Sequence, residues 1–232
     1  MRRRTLLNEL ANLFYPNVCV VCGNELLEKE VCVCLKCLSG LPKTYDYLQK
    51  ENALEKLMAA RIPFERIASY CIYSKGGMLP PLIHHLKYYG KQEIGKLLGR
   101  LFALDLLGSE FLEPIDLIVP VPLHPKREKS RGYNQAEMIA RGLSEVTSLP
   151  VSSNNLIRVI FNPTQTKRTK TQRWENVKGI FDIANTSFFD NRHLLLVDDV
   201  ITTGSTIEAC GIALRKCNGT KISIAALGQV LL

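Results

Sequence analysis

The chain has 232 residues, is 46% hydrophobic and 22% charged, and carries a formal net charge of +8. These fractions suit one ordinary globular domain with a small appendage and exclude disordered, collagen-like and coiled-coil classes. No window approaches the ~18 consecutive apolar residues of a membrane span. Asn8, Glu9 and Asn12 interrupt the apolar part of MRRRTLLNELANLFYP, so a secretory signal is not expected and the predicted location is the cytoplasm. Residues 120–178 hold 11 Lys and Arg against 4 Asp and Glu, out of 30 and 22 in the whole chain. The positive surplus is thus concentrated in one quarter of the sequence, which points to a polyanionic partner: nucleic acid or a phosphorylated small molecule.

In chain order, Leu6, Leu7, Leu10, Leu13 and Phe14 recur at helical spacing, and Pro16 closes that segment. A cysteine-rich stretch follows at 17–40, and residues 41–63 read as a helical linker. From 64 the pattern becomes α/β. RIASYCIYS (66–74) reads as a strand, PLIHHLKYYG (81–90) and KQEIGKLLGRLFALDLL (91–107) as helices separated at Gly90, and IDLIVPVP (115–122) as a short apolar strand. A helix is predicted over 134–146 with Asn134 as its cap, then a strand at LIRVI (156–160). Residues 162–179 carry no periodicity and read as a long mobile loop, of a length that in a compact domain is usually functional or disordered. HLLLVDDV (193–200) is a buried strand, STIEACGIALRKC (205–217) a helix and KISIAALGQVLL (221–232) the closing strand. This alternation implies a mostly parallel sheet covered on both faces.

The strongest chemical signal is LLLVDDVITTGST (194–206), a buried strand that runs into two carboxylates and then a turn that opens a helix. At that junction the backbone N–H groups and the hydroxyls of Thr202, Thr203, Ser205 and Thr206 converge, and Gly204 permits the tight turn, so a phosphate fits there. Asp198 and Asp199 would repel a phosphate they faced. They suit neighbouring hydroxyls, or a Mg²⁺ reached through water. One ligand carrying both a phosphate and vicinal hydroxyls is a ribose 5-phosphate group. The element resembles the thirteen-residue signature for 5-phosphoribosyl-1-pyrophosphate (PRPP) in type I phosphoribosyltransferases.

VPVPLHPKREKSRGYNQAEMIA (119–140), HHLKYYGKQEIGKLLG (84–99) and the paired CxxC at the front are together similar to the ComF family, over about 17–230. The resemblance implies a type I phosphoribosyltransferase domain at 64–232, with the segment 119–133 facing the PRPP loop across a cleft. Val119-Pro120-Val121-Pro122 then ends a strand in a rigid turn that delivers Lys126, Arg127, Lys129 and Arg131 to the cleft mouth. Pyrophosphate needs such cations or Mg²⁺. Arg131 and Asn134 match the family's RGxNQ element. The loop 163–178 resembles the hood that closes over PRPP, where Lys167, Arg168, Lys170 and Arg173 would clamp pyrophosphate or contact nucleic acid, with Trp174 beside them.

Five of the eight cysteines, Cys19, Cys22, Cys32, Cys34 and Cys37, fall within 19 residues, a metal-site density in a cytosolic chain. Two CxxC pairs supply four thiolates for tetrahedral Zn²⁺, and Gly23 lets the knuckle turn back. Spacing alone does not separate a Cys32/Cys34 pair from Cys34/Cys37. Cys34/Cys37 repeats the CxxC geometry and agrees with the family pattern, so the expected ligands are Cys19, Cys22, Cys34 and Cys37 in a zinc ribbon over 1–40. His84 and His85 are adjacent on a helix and do not share a face, which disfavours metal ligation.

Two functions are carried forward. The resemblance implies a competence protein that binds PRPP with Mg²⁺ and single-stranded DNA during DNA uptake, beside a helicase or recombination partner. The alternative is a phosphoribosyltransferase of nucleotide salvage or biosynthesis, whose acceptor no residue identifies.

Overall fold

Short apolar runs bounded by turns become four parallel strands in the computed structural model, which describes residues 17–160 and 179–230. The helix expected over 3–14, and the loop residues Lys167, Arg168, Lys170, Arg173 and Trp174, lie outside the described residues. The strands are β1 (Ile67–Ile72), β2 (Leu117–Pro120), β5 (His193–Ile201) and β6 (Lys221–Gln229), ordered β1-β6-β5-β2. Every pairing in this sheet is parallel. A separate antiparallel ribbon pairs β3 (Leu156–Arg158) with β4 (Phe181–Ile183) at the base of the segment outside the described residues. The predicted strand at 156–160 therefore exists but does not join the main sheet.

The short helix α1 (Leu35–Ser39) lies in the cysteine stretch. Alternation along β5 divides the core. Leu195 and Val197 face one layer with α3 (Leu79–Tyr88), α4 (Gln92–Leu107) and α6 (Gln135–Thr147), while Leu194 and Leu196 face the other with α2 (Ala53–Met58) and α7 (Ser205–Leu214). Both faces of the central strand are consumed, as a continuous hydrophobic run requires. In the first layer α4 and α6 approach backbone to backbone. A Cβ on Gly99 would lie 2.3 Å from the carbonyl oxygen of Ile139, and one on Gly142 would lie 2.2 Å from that of Lys96. Backbone cannot move aside as a side chain can. Gly99→Ala is expected to cost about 1–3 kcal/mol, and a thermal unfolding midpoint within a degree of wild type would refute that contact.

Two segments depart from expectation. Residues 41–63 are not a continuous helix: they hold a 3-10 turn at Asp46–Leu48 and the two-turn helix α2. Tyr45 and Glu51 take left-handed φ values of +56° and +59°, which no helix accommodates. Asn52 then restarts the chain through a capping box with Glu55. PKREKSR (125–131), to which the sequence assigned no element, forms helix α5 (Pro125–Arg131), opened by Pro125 and the His124 side chain, which accepts from the Lys126 N–H at 3.2 Å.

The connector also lies along β1. The Thr44 N–H donates to the Tyr70 carbonyl at 3.1 Å, and Ile72 N–H donates to Pro42 at 2.8 Å. At the opposite margin Ile118 of β2 exchanges bonds with Pro150 and Ser152, each at 2.9 Å. Among the described residues no helix is long and apolar enough to cross a membrane.

Candidate functional site

Strand β5 ends at the carboxyl edge of the sheet, where a cleft of about 350 Å³ opens between it and the turn after β2. Asp198 and Asp199 form one wall with Thr202 and Thr206, and Arg127, Arg131 and Arg158 line the same cleft. Six residues separate Asp198 from the first residue of α7, and the exposed hydroxyls of Thr202 and Thr203 in this turn are followed by those of Ser205 and Thr206 at the start of the helix. Gly204 is the N-cap of α7, with φ at +76° and no side chain to cap the helix. The N–H donors of the first turn are thus left to whatever enters the cleft. Gly204 is required twice over, since a Cβ there would also lie 2.4 Å from the Met58 sulfur. The loop is braced from behind by Arg61, whose guanidinium donates to the Thr203 carbonyl and pairs with Glu208 at 3.6 Å.

The acid pair is not symmetrical. Asp199 is bound by Lys87 of α3, with Nζ 2.8 Å from Oδ1. Asp198 accepts the Asp199 N–H at 2.8 Å, and burial together with the Asp199 charge raises its carboxyl to about 7. Burial, then Arg127 beside it, lowers Arg158, which nonetheless remains a cation at any working pH.

The turn of Arg131 to Gln135 fixes the opposite wall. Arg131 donates to the Gln135 side-chain oxygen at 2.8 Å. Asn134 donates to the Val121 carbonyl at 3.0 Å and accepts from the Ala136 N–H at 3.1 Å. Both ends of its amide hold the turn, so Asn134 positions the wall it lines. Tyr133 donates through its hydroxyl to the Leu86 carbonyl, tying this turn to α3.

A second constellation lies at the front of the chain. The sulfurs of Cys19, Cys22, Cys34 and Cys37 all lie within 4.8 Å of one another. The Cys22–Cys34 separation is 3.8 Å, about the edge of a tetrahedron with ~2.3 Å metal–sulfur bonds. Burial pushes the Cys19 thiol up, but the backbone N–H groups of Cys34, Cys22 and Val21 outweigh it and hold the group at about 6. Burial and the three neighbouring thiols push Cys37 up. A cation among the four would reverse that preference. Cys32 stands apart from the cluster with φ at +63°, and its carbonyl accepts the Val20 N–H at 2.9 Å, joining the two halves of the knuckle through backbone.

Residues 129–229 match the model of the phosphoribosyl transferase domain family. Over 217 residues the chain is 30% identical to DNA utilization protein YhgH of Escherichia coli strain K12, covering 92% of this chain and 91% of that one. The chain belongs to the ComF family. It is also 35% identical to Competence protein F of Haemophilus influenzae, over 64% of this chain and 66% of that one, and 25% identical to Competence protein ComFC of Bacillus subtilis, over 93% and 96%. The sheet and its flanking helices are the type I phosphoribosyltransferase fold, with the four-cysteine cluster ahead of it.

Of the cations that the ComF resemblance proposed, Arg127 and Arg131 line the cleft, whereas Lys126 and Lys129 sit on the exposed side of α5. Thr203, Gly204 and Ser205 shape the loop just behind its lining. Three contributors were not among the sequence candidates: Lys87, Arg158 and Arg61. Lys87 had a signal available, a basic residue in the last turn of a helix within a motif segment, but its partner lies 112 residues away.

Proposed function

We propose that this ComF-family protein binds PRPP in the cleft and handles single-stranded DNA during DNA uptake in the cytoplasm. The observation that carries the PRPP half is the convergence, at one sheet edge, of a capless helix N-terminus, an acid pair and three arginines. In this reading the 5-phosphate takes the N–H groups and hydroxyls of Thr202 to Thr206, including Thr203, Gly204 and Ser205. Asp198 and Asp199 accept from the ribose hydroxyls, and Arg127, Arg131 and Arg158 meet the pyrophosphate. Lys87 screens Asp199 from the phosphate groups and aims its second oxygen. The donor set suits Mg²⁺ only in part, because Lys87 already occupies one carboxylate. Asp198 and the second oxygen of Asp199 would be left to hold the ion, which would supply charge neutralisation at the pyrophosphate.

The four converging thiols are read as a structural zinc site that fixes residues 17–40. The DNA half rests on the basic surplus and on the names of the relatives, which are called DNA utilization and competence proteins. A helicase or recombination protein is the expected partner in that work. Phosphoribosyl transfer to an acceptor is the second reading, favoured by cations and carboxylates facing each other as a separating charge pair requires.

Titration calorimetry of Mg²⁺–PRPP into the zinc-loaded protein tests the site. Saturable binding that disappears in Asp198→Ala/Asp199→Ala is the expected result. No heat in a folded wild-type protein would refute the PRPP reading, and release of pyrophosphate on adding an acceptor would favour the second.

A further inference from the structure

The last turn of α3 carries an aromatic cluster that the PRPP reading does not use. Tyr88 and Tyr89 are 64% and 61% exposed. His84 is exposed beside them, its ring centre 5.0 Å from that of Tyr88 and 5.4 Å from that of Tyr89. Beneath them His85 stacks on Tyr89 at 4.7 Å with planes 27° apart. Large aromatic rings left open at this density have no packing reason to be there.

Their surroundings select a ligand. The Arg131 guanidinium lies over the Tyr88 ring, 5.3 Å from its centre, while it also lines the cleft. Lys87, between His84 and Tyr88 in sequence, reaches down to Asp199 inside the cleft. Lys91, just past the platform, lies within electrostatic reach of both His85 and Cys32 of the cysteine knuckle. The rings thus adjoin the basic cleft, with Arg131 on the cleft side and Lys91 just past them. Alternating cations and open ring faces match a chain that alternates phosphates and flat bases. An apolar protein partner would not need the flanking charge. The last turn is also held rigid, because the Tyr133 hydroxyl donates to the Leu86 carbonyl.

We propose that Tyr88, Tyr89 and His84 form a stacking platform for the bases of single-stranded DNA as it leaves the cleft mouth towards the cysteine knuckle. This rests on the DNA-binding reading given above. The test is fluorescence anisotropy with a labelled oligo-dT of about 16 nucleotides and with an abasic strand of the same length, each titrated with the full chain. Tyr88→Ala/Tyr89→Ala is expected to weaken oligo-dT binding by about 10- to 100-fold, whereas Tyr88→Phe/Tyr89→Phe stays within about twofold because the ring faces remain. Abasic strand should bind the wild type as weakly as oligo-dT binds the alanine variant. Wild type that binds oligo-dT and abasic strand equally well would overturn the platform even if the alanine variant failed to fold. An alanine variant with wild-type affinity for oligo-dT would do the same while leaving the DNA reading intact. Wild type that binds neither strand would overturn both.

Discussion

Asp198→Asn is expected to make the protein more stable at neutral pH and a weaker binder of Mg²⁺–PRPP. The native state holds the Asp198 proton up to about pH 7, first through burial and then through Asp199. The unfolded chain releases it near the ordinary carboxylate value of about 4. Below that value both states are protonated and the group exerts no pH-dependent effect. As pH rises towards 7 the unfolded state loses its proton first, so the wild type is progressively destabilised, and above about 8 the loss is complete. The amide has no such titration. The stability advantage of Asp198→Asn should therefore grow between pH 4 and pH 7 and then level off. Because the side chain is partly solvated, about 1–2 kcal/mol is the expected plateau. For a chain of this size that raises the unfolding midpoint by roughly 2–8 °C. Binding moves the other way, by about 10- to 100-fold, since the amide can no longer accept with both atoms from ribose hydroxyls. A midpoint difference that is flat with pH would show that Asp198 is not held protonated.

The cysteines yield the second large effect. Cys19→Ser and Cys37→Ser should each lose the bound metal, read as zinc per chain by elemental analysis, while Cys32→Ser keeps it. The knuckle shares the core of the α4 layer through Leu26, Val33 and Leu41, so its loss reaches into the domain. The unfolding midpoint of the two ligand variants should fall by more than about 5 °C, and protease should cut within 17–40. Metal loss in Cys19→Ser and Cys32→Ser, with metal retained in Cys37→Ser, would overturn the ligand choice in favour of the Cys32/Cys34 pairing.

Features with a local cause were legible in the sequence. The run 194–206 declares its own strand, turn and helix. Asn134 caps α6 because a short amide oxygen reaches the N–H two residues on, a rule that needs no tertiary context. Helix α5 was not legible, because PKREKSR has no apolar period: it buries no residue, and only its ends define it. Strand β4 is three residues long and exists through its pairing with β3. In the cleft, the signature loop could be read directly, whereas Lys87 and Arg158 reach it only through the crossing of distant elements. Lys87 meets Asp199 because α3 packs over β5, and no spacing in the sequence encodes that distance.

The two margins of the sheet bear on how copies of this protein can meet. A parallel sheet with open margins is a template for further strands. Here the connector occupies the outer side of β1 through Pro42 and Thr44, and residues 150–152 occupy that of β2. Both ladders are thus closed within the chain over those stretches. Strand-by-strand growth between copies would have to peel one of these segments away first. The connector carries a further lock, since the Asp46 carboxylate accepts from Ser69 at 2.9 Å and from Gln229 at 3.0 Å. Self-association, wherever it occurs, is thereby directed to the helical faces, and the sheet itself is protected from templating aggregates.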